Sequence, residues 1–386
     1  MSLPAYDLEA LRAREFPWAA RGESIYLNHA GTGPVPIRAR EARTAFEAIR
    51  DEPFRITTEQ QFAALQRARE MCARLIGAEA SEIALMVNTS YGINLAARSL
   101  GLREGDVVLT FDREFPANIY PWMALPGVRV VRIPCVDTLP DEPALLRALD
   151  EPSVRVVTVS WVQFSTGYRV DLVRLGRECR ARGIRLVVDA IQGVGAHPVD
   201  VRAAGIDILA CGGQKWLLSP WGTGFVYVRR ELVAALEPMD IGWLSMRGSE
   251  DFSTLIDYDL TFMADARRFE VGTLPAQAFA TMAASVELLL ELGVDVIAAH
   301  IRSLTQRLVS WAQSTPDVRL VTPADPSRRA GIVSLAPAQV AAAVGRLEDA
   351  GVAFAVREGV IRLAPHCYNS SDEIEKVIAC MGTGRS

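Results

Sequence analysis

IRLVVDAIQGVGAHPVDVRAAGIDILACGGQKWLLSPWGTGFVYVRR (184–230) decides the fold. Three short apolar, β-branched runs lie in it: IRLVVDA (184–190), IDILAC (206–211) and GFVYVRR (224–230). Runs of this length, bounded by glycine-bearing turns, read as strands buried on both faces. Two residues with chemistry stand where these runs end. Asp189 closes the first. Lys215 lies in the loop after the second, with Gly212 and Gly213 before it and Gly222 and Gly224 after.

The pattern extends upstream. IALMV (83–87), VVLTF (107–111), VRVVRI (128–133) and VRVVTVS (154–160) read as further strands, with helical stretches at 92–100 and 171–183 between runs. Seven such strands predict an open, mainly parallel α/β sheet, whose ligands sit beyond the carboxyl ends of its strands. After about residue 275 the character changes. Helices at 276–292, 294–313, 338–350 and 371–381 alternate with short strands near 317–321, 331–335, 353–356 and 360–364. The expected organisation is an N-terminal segment (1–35) packing with a small domain, a large α/β domain (36–275) and that smaller C-terminal α+β domain (276–386).

The chain of 386 residues is half apolar, enough for one large core or a large and a small one. Its formal charge of −5 and the absence of like-charge blocks argue against a nucleic-acid partner. The N-terminal MSLPAYDLEALRAREFPW (1–18) has no apolar run of signal or membrane length. A soluble cytoplasmic protein is the expectation. The six cysteines are scattered without a C-x-x-C, so neither a disulfide framework nor a metal site is expected.

Lysine occurs only at 215 and 376, so any chemistry needing a primary amine has two candidates. In SSDEIEKVIAC (370–380), Ser370 and Glu373 have capping-box spacing and Ile374, Val377 and Ile378 form an apolar stripe. Lys376 falls on the polar side, four residues after Asp372, as an ordinary surface ion pair. Lys215 is poorly explained as a solubilising residue. Burial at a strand end would lower its pKa and make it a nucleophile for an aldehyde. Asp189 ends an apolar strand, where a carboxylate is costly unless partnered. It is either a helix N-cap or the partner of a protonated pyridine nitrogen. Asn88, Thr89, Ser90 and Gly92 lie between a strand and a helix, as a plain N-cap or as an anion site suited to phosphate. No G-x-x-x-x-G-K-[ST] or G-x-G-x-x-G is present, which argues against ATP and dinucleotides. An anion cradle, a buried acid and a lone lysine together meet the needs of pyridoxal 5′-phosphate (PLP).

Segments in the same order resemble the class V aminotransferase family of fold-type I PLP enzymes, the group of cysteine desulfurases, isopenicillin N epimerase-like proteins and kynureninase. They are YLNHAGTGPVP (26–36), NTSYGINLAA (88–97), EFPANIYPW (114–122), VSWVQFSTGYRVDL (159–172), VVDAIQGVGAHPVDV (187–201), DILACGGQKWLLSPWGTGFVYV (207–228), RFEVGTLP (268–275) and REGVIRLAPHCYNS (357–370). The resemblance implies a fold-type I PLP-dependent transferase, a large domain with a mainly parallel seven-stranded sheet plus a smaller α+β domain. It implies that Lys215 forms the Schiff base, that Asp189 pairs with the pyridine nitrogen and that Gln192 sits near the phenolic oxygen. Thr89 and Ser90 would bind the phosphate, Phe115 would lie against the cofactor face, and Gln163 takes the place of a common Asn. Gly272 and Thr273 fall where the neighbouring subunit reaches into the phosphate site, implying a homodimer with shared active sites. Arg362 falls where an arginine grips a substrate carboxylate, and Arg357 and His29 are further candidates for lining the substrate side.

The chain departs from desulfurases in three places. No cysteine loop precedes Arg362, because AFAVREGVIRLAPH (353–366) runs straight through. Gln214 replaces a common His, and Gly212 a common Ser. These changes argue against persulfide formation and leave Lys215 as the proton carrier. Transamination and β-elimination of the C–S lyase type are the expected outcomes for an amino-acid or amine substrate. Epimerisation and a non-catalytic PLP-fold binding role are the alternatives.

Overall fold

The computed structural model describes residues 6–238 and 240–382. Seven strands form the main sheet: β1 (Ile83–Met86), β2 (Val107–Phe111), β3 (Arg129–Ile133), β4 (Val154–Ser160), β5 (Arg185–Asp189), β6 (Ile208–Gly212) and β7 (Gly224–Val228). Their spatial order is β1-β7-β6-β5-β4-β2-β3. Only β7 runs against the others, pairing antiparallel with both β1 and β6. The remaining six therefore end at one edge of the sheet, as the pattern of apolar runs predicts.

Side-chain alternation divides the strand residues between two cores. Leu186, Val188 and Leu209 join one cluster, and Val187, Ile208 and Ala210 join the other. All six are fully buried, each large one adding about 1.5–3 kcal/mol relative to exposure. On the second face lies the helix Thr89–Ser99, whose Ile93, Leu95 and Ala96 pack into that core. It comes so close because Gly92 has no side chain: a Cβ there would stand 2.5 Å from Val226 and 2.8 Å from Ala210. On the first face lies the helix Thr58–Ile76, begun by a Thr57–Gln60 capping box and ended at Gly77 with φ of +72°.

A four-stranded antiparallel sheet follows: β8 (Val318–Leu320), β9 (Val333–Pro337), β10 (Ala355–Arg357) and β11 (Val360–Leu363), ordered β10-β11-β9-β8. Its core takes Leu304 and Leu308 from the helix Val294–Ser314, Ile374 and Val377 from the helix Ser371–Gly382, and Leu27 from the N-terminal segment. Residues Ile25–Tyr26 pair in parallel with Val352–Ala353, so that segment joins the smaller sheet's side. One helix packs across an expected boundary. The helix Ala276–Leu292, assigned by sequence to the C-terminal part, packs against the helices Ile37–Asp51 and Thr58–Ile76. Its Phe279, Met282 and Val286 join the large core.

The helix Ser371–Gly382 starts with the expected capping box, Ser370 Oγ accepting from Glu373 N–H and Glu373 Oε2 accepting from Ser370 N–H. Lys376 is exposed on it, and among the described residues it makes no ion pair with Asp372. All six cysteines are free, four of them buried. No described helix is long and apolar enough to cross a membrane.

Candidate active site at the sheet edge

Parallel strands place their carboxyl ends side by side, which brings distant segments together. In register, Asp189 sits between Ser160 of β4 and Ala210 of β6. Lys215 follows β6 by three residues. Its loop is tight enough to hold Leu218 at φ of +53°, and its carbonyl accepts from Leu218 N–H. The N-terminal segment closes over this loop, with Gly33 N–H and the Thr32 hydroxyl both donating to the Gln214 carbonyl. A Cβ on Gly33 would lie 2.2 Å from the Lys215 carbonyl oxygen, so only glycine permits that approach.

The electrostatics of Lys215 and Asp189 are unusual. Burial drives the Lys215 ammonium down to about 8, against the opposing pull of Asp189. Burial drives the Asp189 carboxyl up to about 6, against the Ile191 N–H bond and Lys215. Asp189 Oδ1 accepts from Ile191 N–H at 3.1 Å. Among the described residues neither group has a direct ion-pair partner. A buried carboxylate without a cation is a costly arrangement in a finished core and a useful one beneath a protonated heterocycle. This arrangement fits the pyridine nitrogen of PLP.

The other expected residues fall into three groups. The first surrounds Lys215 and Asp189. Thr89 is buried at the first turn of its helix, and its hydroxyl accepts from Gly212 N–H at 2.9 Å, linking the helix to the lysine loop. Asn88 caps that helix by accepting from Tyr91 N–H, and Ser90 is exposed beside it. The two N-terminal amides and both hydroxyls offer an anion cradle. The Phe115 ring centroid is 5.7 Å from Lys215 Nζ. Gln163 is buried, its Nε2 donating to Glu114. Gln192 is buried too, but its amide is anchored at both ends: Nε2 donates to Ala30 O and Oε1 accepts from Trp216 Nε1–H.

The second group lies on the substrate side. Arg362, on β11, is buried and donates from Nη1 to Phe164 O at 2.9 Å, while its Nε has no partner. Burial and the neighbouring Arg357 pull it down to about 10. Arg357 is exposed on β10 and donates to Val356 O. Both guanidiniums also bear on Lys215, so they face its side of the site.

The third group does not join this cluster. His29 is sealed: it is fully buried, with Nδ1 bonded to Ala364 O and Nε2 to Tyr368 Oη, each at 2.7 Å. A ring whose two nitrogens are committed in the core cannot line the substrate side, so that expectation is corrected. Gly272 and Thr273 line a surface groove of about 200 Å³ with Met86, Val87 and Tyr91, and Thr273 is exposed. Within the described residues neither bonds to Lys215, Asp189 or Thr89.

Sequence reading assigned no role to Glu114, although it quoted the segment that holds it. It lies in the loop three residues past an apolar strand, whereas Asp189 ends its strand, so the two do not share one sequence signal.

A family model described as aminotransferase class-V matches residues 25–377. The uncharacterized aminotransferase YcbU of Bacillus subtilis is 33% identical over 312 residues, 81% of each chain. A probable cysteine desulfurase of Methanothermobacter thermautotrophicus is 30% identical over 381 residues, 92% of each chain. Isopenicillin N epimerase of Streptomyces clavuligerus is 30% identical, covering 92% of this chain and 93% of its own. Among solved structures, the cystine C–S lyase C-DES with cysteine persulfide aligns with a TM-score of 0.86 at 23% identity, over 95% of this chain and 99% of that one. That likeness concerns the fold.

Proposed function

The chain belongs to the class-V aminotransferase family of PLP-dependent enzymes, and on that premise we propose that it is a one-base PLP enzyme acting on an α-amino acid or amino-acid conjugate, by transamination or by β-elimination of the C–S lyase type. The observation that carries this reading is the placement of Lys215 and Asp189 beside neighbouring strand ends without an ion-pair partner among the described residues, each shifted towards neutrality by burial.

PLP supplies an electron sink for a bond broken at the α-carbon of a bound amino acid. The residues do the rest. Lys215 would offer the amine that holds the cofactor and, when not bonded to it, would be the base for the α-proton. A pKa near 8 leaves a usable neutral fraction at neutral pH. Asp189 would face the ring nitrogen and favour its protonated form. The helix start at Thr89 and Ser90 takes the phosphate. Arg362 presents a guanidinium fork to the substrate carboxylate, with Arg357 beside it.

A single base serves transamination and β-elimination, since one amine on one face can take and return a proton. Epimerisation commonly needs a second base on the opposite face, and His29, with both ring nitrogens bonded in the core, is poorly suited to that role. The missing cysteine ahead of Arg362 argues against persulfide formation.

A homodimer is part of this proposal. Ile256, Tyr258 and Leu260 are 77–92% exposed, and Phe252 and Ile241 lie exposed nearby, on the segment leading to Gly272 and Thr273. An apolar surface of this kind suits a partner subunit, with Gly272 and Thr273 delivered to the partner's phosphate site. Sedimentation of the holoprotein tests it: a monomer that binds PLP tightly rejects shared sites.

Reaction type is tested on the PLP-loaded protein with amino acids and cysteine conjugates, following pyruvate, ammonia and the pyridoxamine form separately. Pyruvate with ammonia identifies β-elimination, and the pyridoxamine form identifies transamination. Racemised substrate without either product rejects the one-base reading.

A further inference from the structure

Glu114 is a buried carboxylate that the chemistry above does not use. It is 7% exposed, three residues past the end of β2. Four donors converge on it. Oε1 accepts from Ser160 N–H at 2.9 Å and from Gln163 Nε2 at 2.8 Å. Oε2 accepts from the Ser160 hydroxyl at 2.5 Å and from Asn118 Nδ2 at 3.2 Å. Asn118 is itself held, its Oδ1 accepting from the Thr158 hydroxyl at 2.6 Å. Among the described residues no cation pairs with Glu114.

Three of the four donors are N–H groups, which a carboxylate satisfies and an amide of the same shape does not. The bonds also join two segments of the site. Phe115 follows Glu114, and Phe164 follows Gln163. These two rings meet edge to face, with centroids 5.3 Å apart and planes at 76°. The Glu114–Gln163 bond and the Phe115–Phe164 contact are thus parallel ties between the same two loops, one polar and one apolar. The polar tie has a directional consequence. A carboxylate only accepts, so Gln163 Nε2 must face Glu114 and Oε1 must face away.

We propose that Glu114 is a positioning residue of the PLP site: its carboxylate clamps the Gln163 loop to the Phe115 loop, fixing the Gln163 amide and the Phe115 ring against the cofactor, and it places a second negative charge next to Asp189. This inference rests on PLP being held at Lys215. Asp189 on β5 and Cys135, after β3, are titratable groups coupled to Glu114. Burial and Asp189 push the Glu114 carboxyl upward, while Ser160 and Asn118 pull it down. The donor set favours the ionised form.

The test is Glu114→Gln in the PLP-loaded enzyme, with four readouts: affinity for PLP, the pH midpoint of the bound cofactor's visible absorbance, kcat and KM taken separately, and melting temperature. The expected result is about tenfold weaker PLP binding and about tenfold lower kcat at nearly unchanged KM, the scale of one lost charged hydrogen bond. The absorbance midpoint moves to lower pH, because a negative charge near the protonated cofactor is gone. Gln163→Met breaks the same bond from the other side, and the double variant is no worse than the poorer single one. A lower melting temperature with unchanged PLP affinity, midpoint and kcat overturns the inference and leaves Glu114 a purely structural residue. Additive losses in the double variant overturn it as well. Should Glu114→Gln fail to fold, Gln163→Met alone decides: unchanged absorbance and kcat reject the clamp. A wild-type protein that forms no borohydride-reducible absorbance with PLP rejects the Lys215 reading instead, so the two failures are distinct.

Discussion

Two buried acid–base regions lie on this fold, and they are built in opposite ways. Arg69 and Glu270 form a complete unit. Arg69 Nε donates to Oε1 at 2.9 Å and Nη2 to Oε2 at 2.5 Å, and Leu85 N–H adds a bond at 2.8 Å. Their side chains are 5% and 2% exposed. Lys215 and Asp189 are incomplete: Asp189 has one backbone donor, and the lysine has an aromatic face but no counter-ion in contact. Both regions carry the desolvation cost of buried charge. In the first, every atom is satisfied from within the chain, so its role is to anchor the strand β1 to the segment before Gly272. In the second, the described residues supply no counter-ion in contact, which leaves room for a ligand's charge. The difference locates the site better than burial or charge does alone.

The comparison can be broken most severely at Lys215. Lys215→Ala should abolish reducible PLP attachment and lower turnover roughly a thousandfold, the scale of a lost general base, while the protein stays folded. Retained attachment, read by absorbance before and after borohydride, would place the amine elsewhere. Arg69→Met should act on stability instead. Leaving Glu270 unpaired costs about 3–5 kcal/mol in chemical denaturation, and Arg69→Met/Glu270→Met recovers much of it. Loss of PLP affinity without loss of stability would contradict the structural role.

Asp189→Asn should lower kcat roughly a hundredfold, about 3 kcal/mol, with stability unchanged or higher because an unpaired buried charge is removed. Unchanged kcat would show that the ring nitrogen needs no carboxylate here. The smallest effect is the pH dependence of the cofactor-free protein. The folded-state value of Lys215, about 8, lies below its ordinary 10.5. Between these values the unfolded chain holds a proton that the folded one has released, so stability rises as pH climbs from about 8 to 10.5. Below 8 the contribution is a constant penalty. The difference in melting temperature between wild type and Lys215→Met should follow this course, and a flat difference would show that Lys215 is not desolvated.

Much of this was legible in the chain. All seven strands of the main sheet stand where apolar, β-branched runs predict them, because a strand buried on both faces leaves a continuous hydrophobic signature. The Ser370–Glu373 capping box formed because its four residues are local. The Asp372–Lys376 pair did not, since two solvated side chains gain little by meeting. His29 misled for a related reason: its neighbours in sequence belong to the site's rim, but its ring turns into the core between Ala364 and Tyr368. Glu114 was missed because its donors arrive from Asn118, Ser160 and Gln163, and no spacing encodes their convergence.

The sequence by itself determined the sheet and the family and narrowed the candidate amine to two lysines, since these rest on hydrophobic periodicity, ordered motifs and the scarcity of lysine. Only the tertiary structure decided which buried charges find a counter-ion among the described residues and which do not. Completeness depends on hydrogen-bond partners supplied by segments far apart in the chain, and on a low-dielectric interior that exists only once the two cores have closed around the sheet.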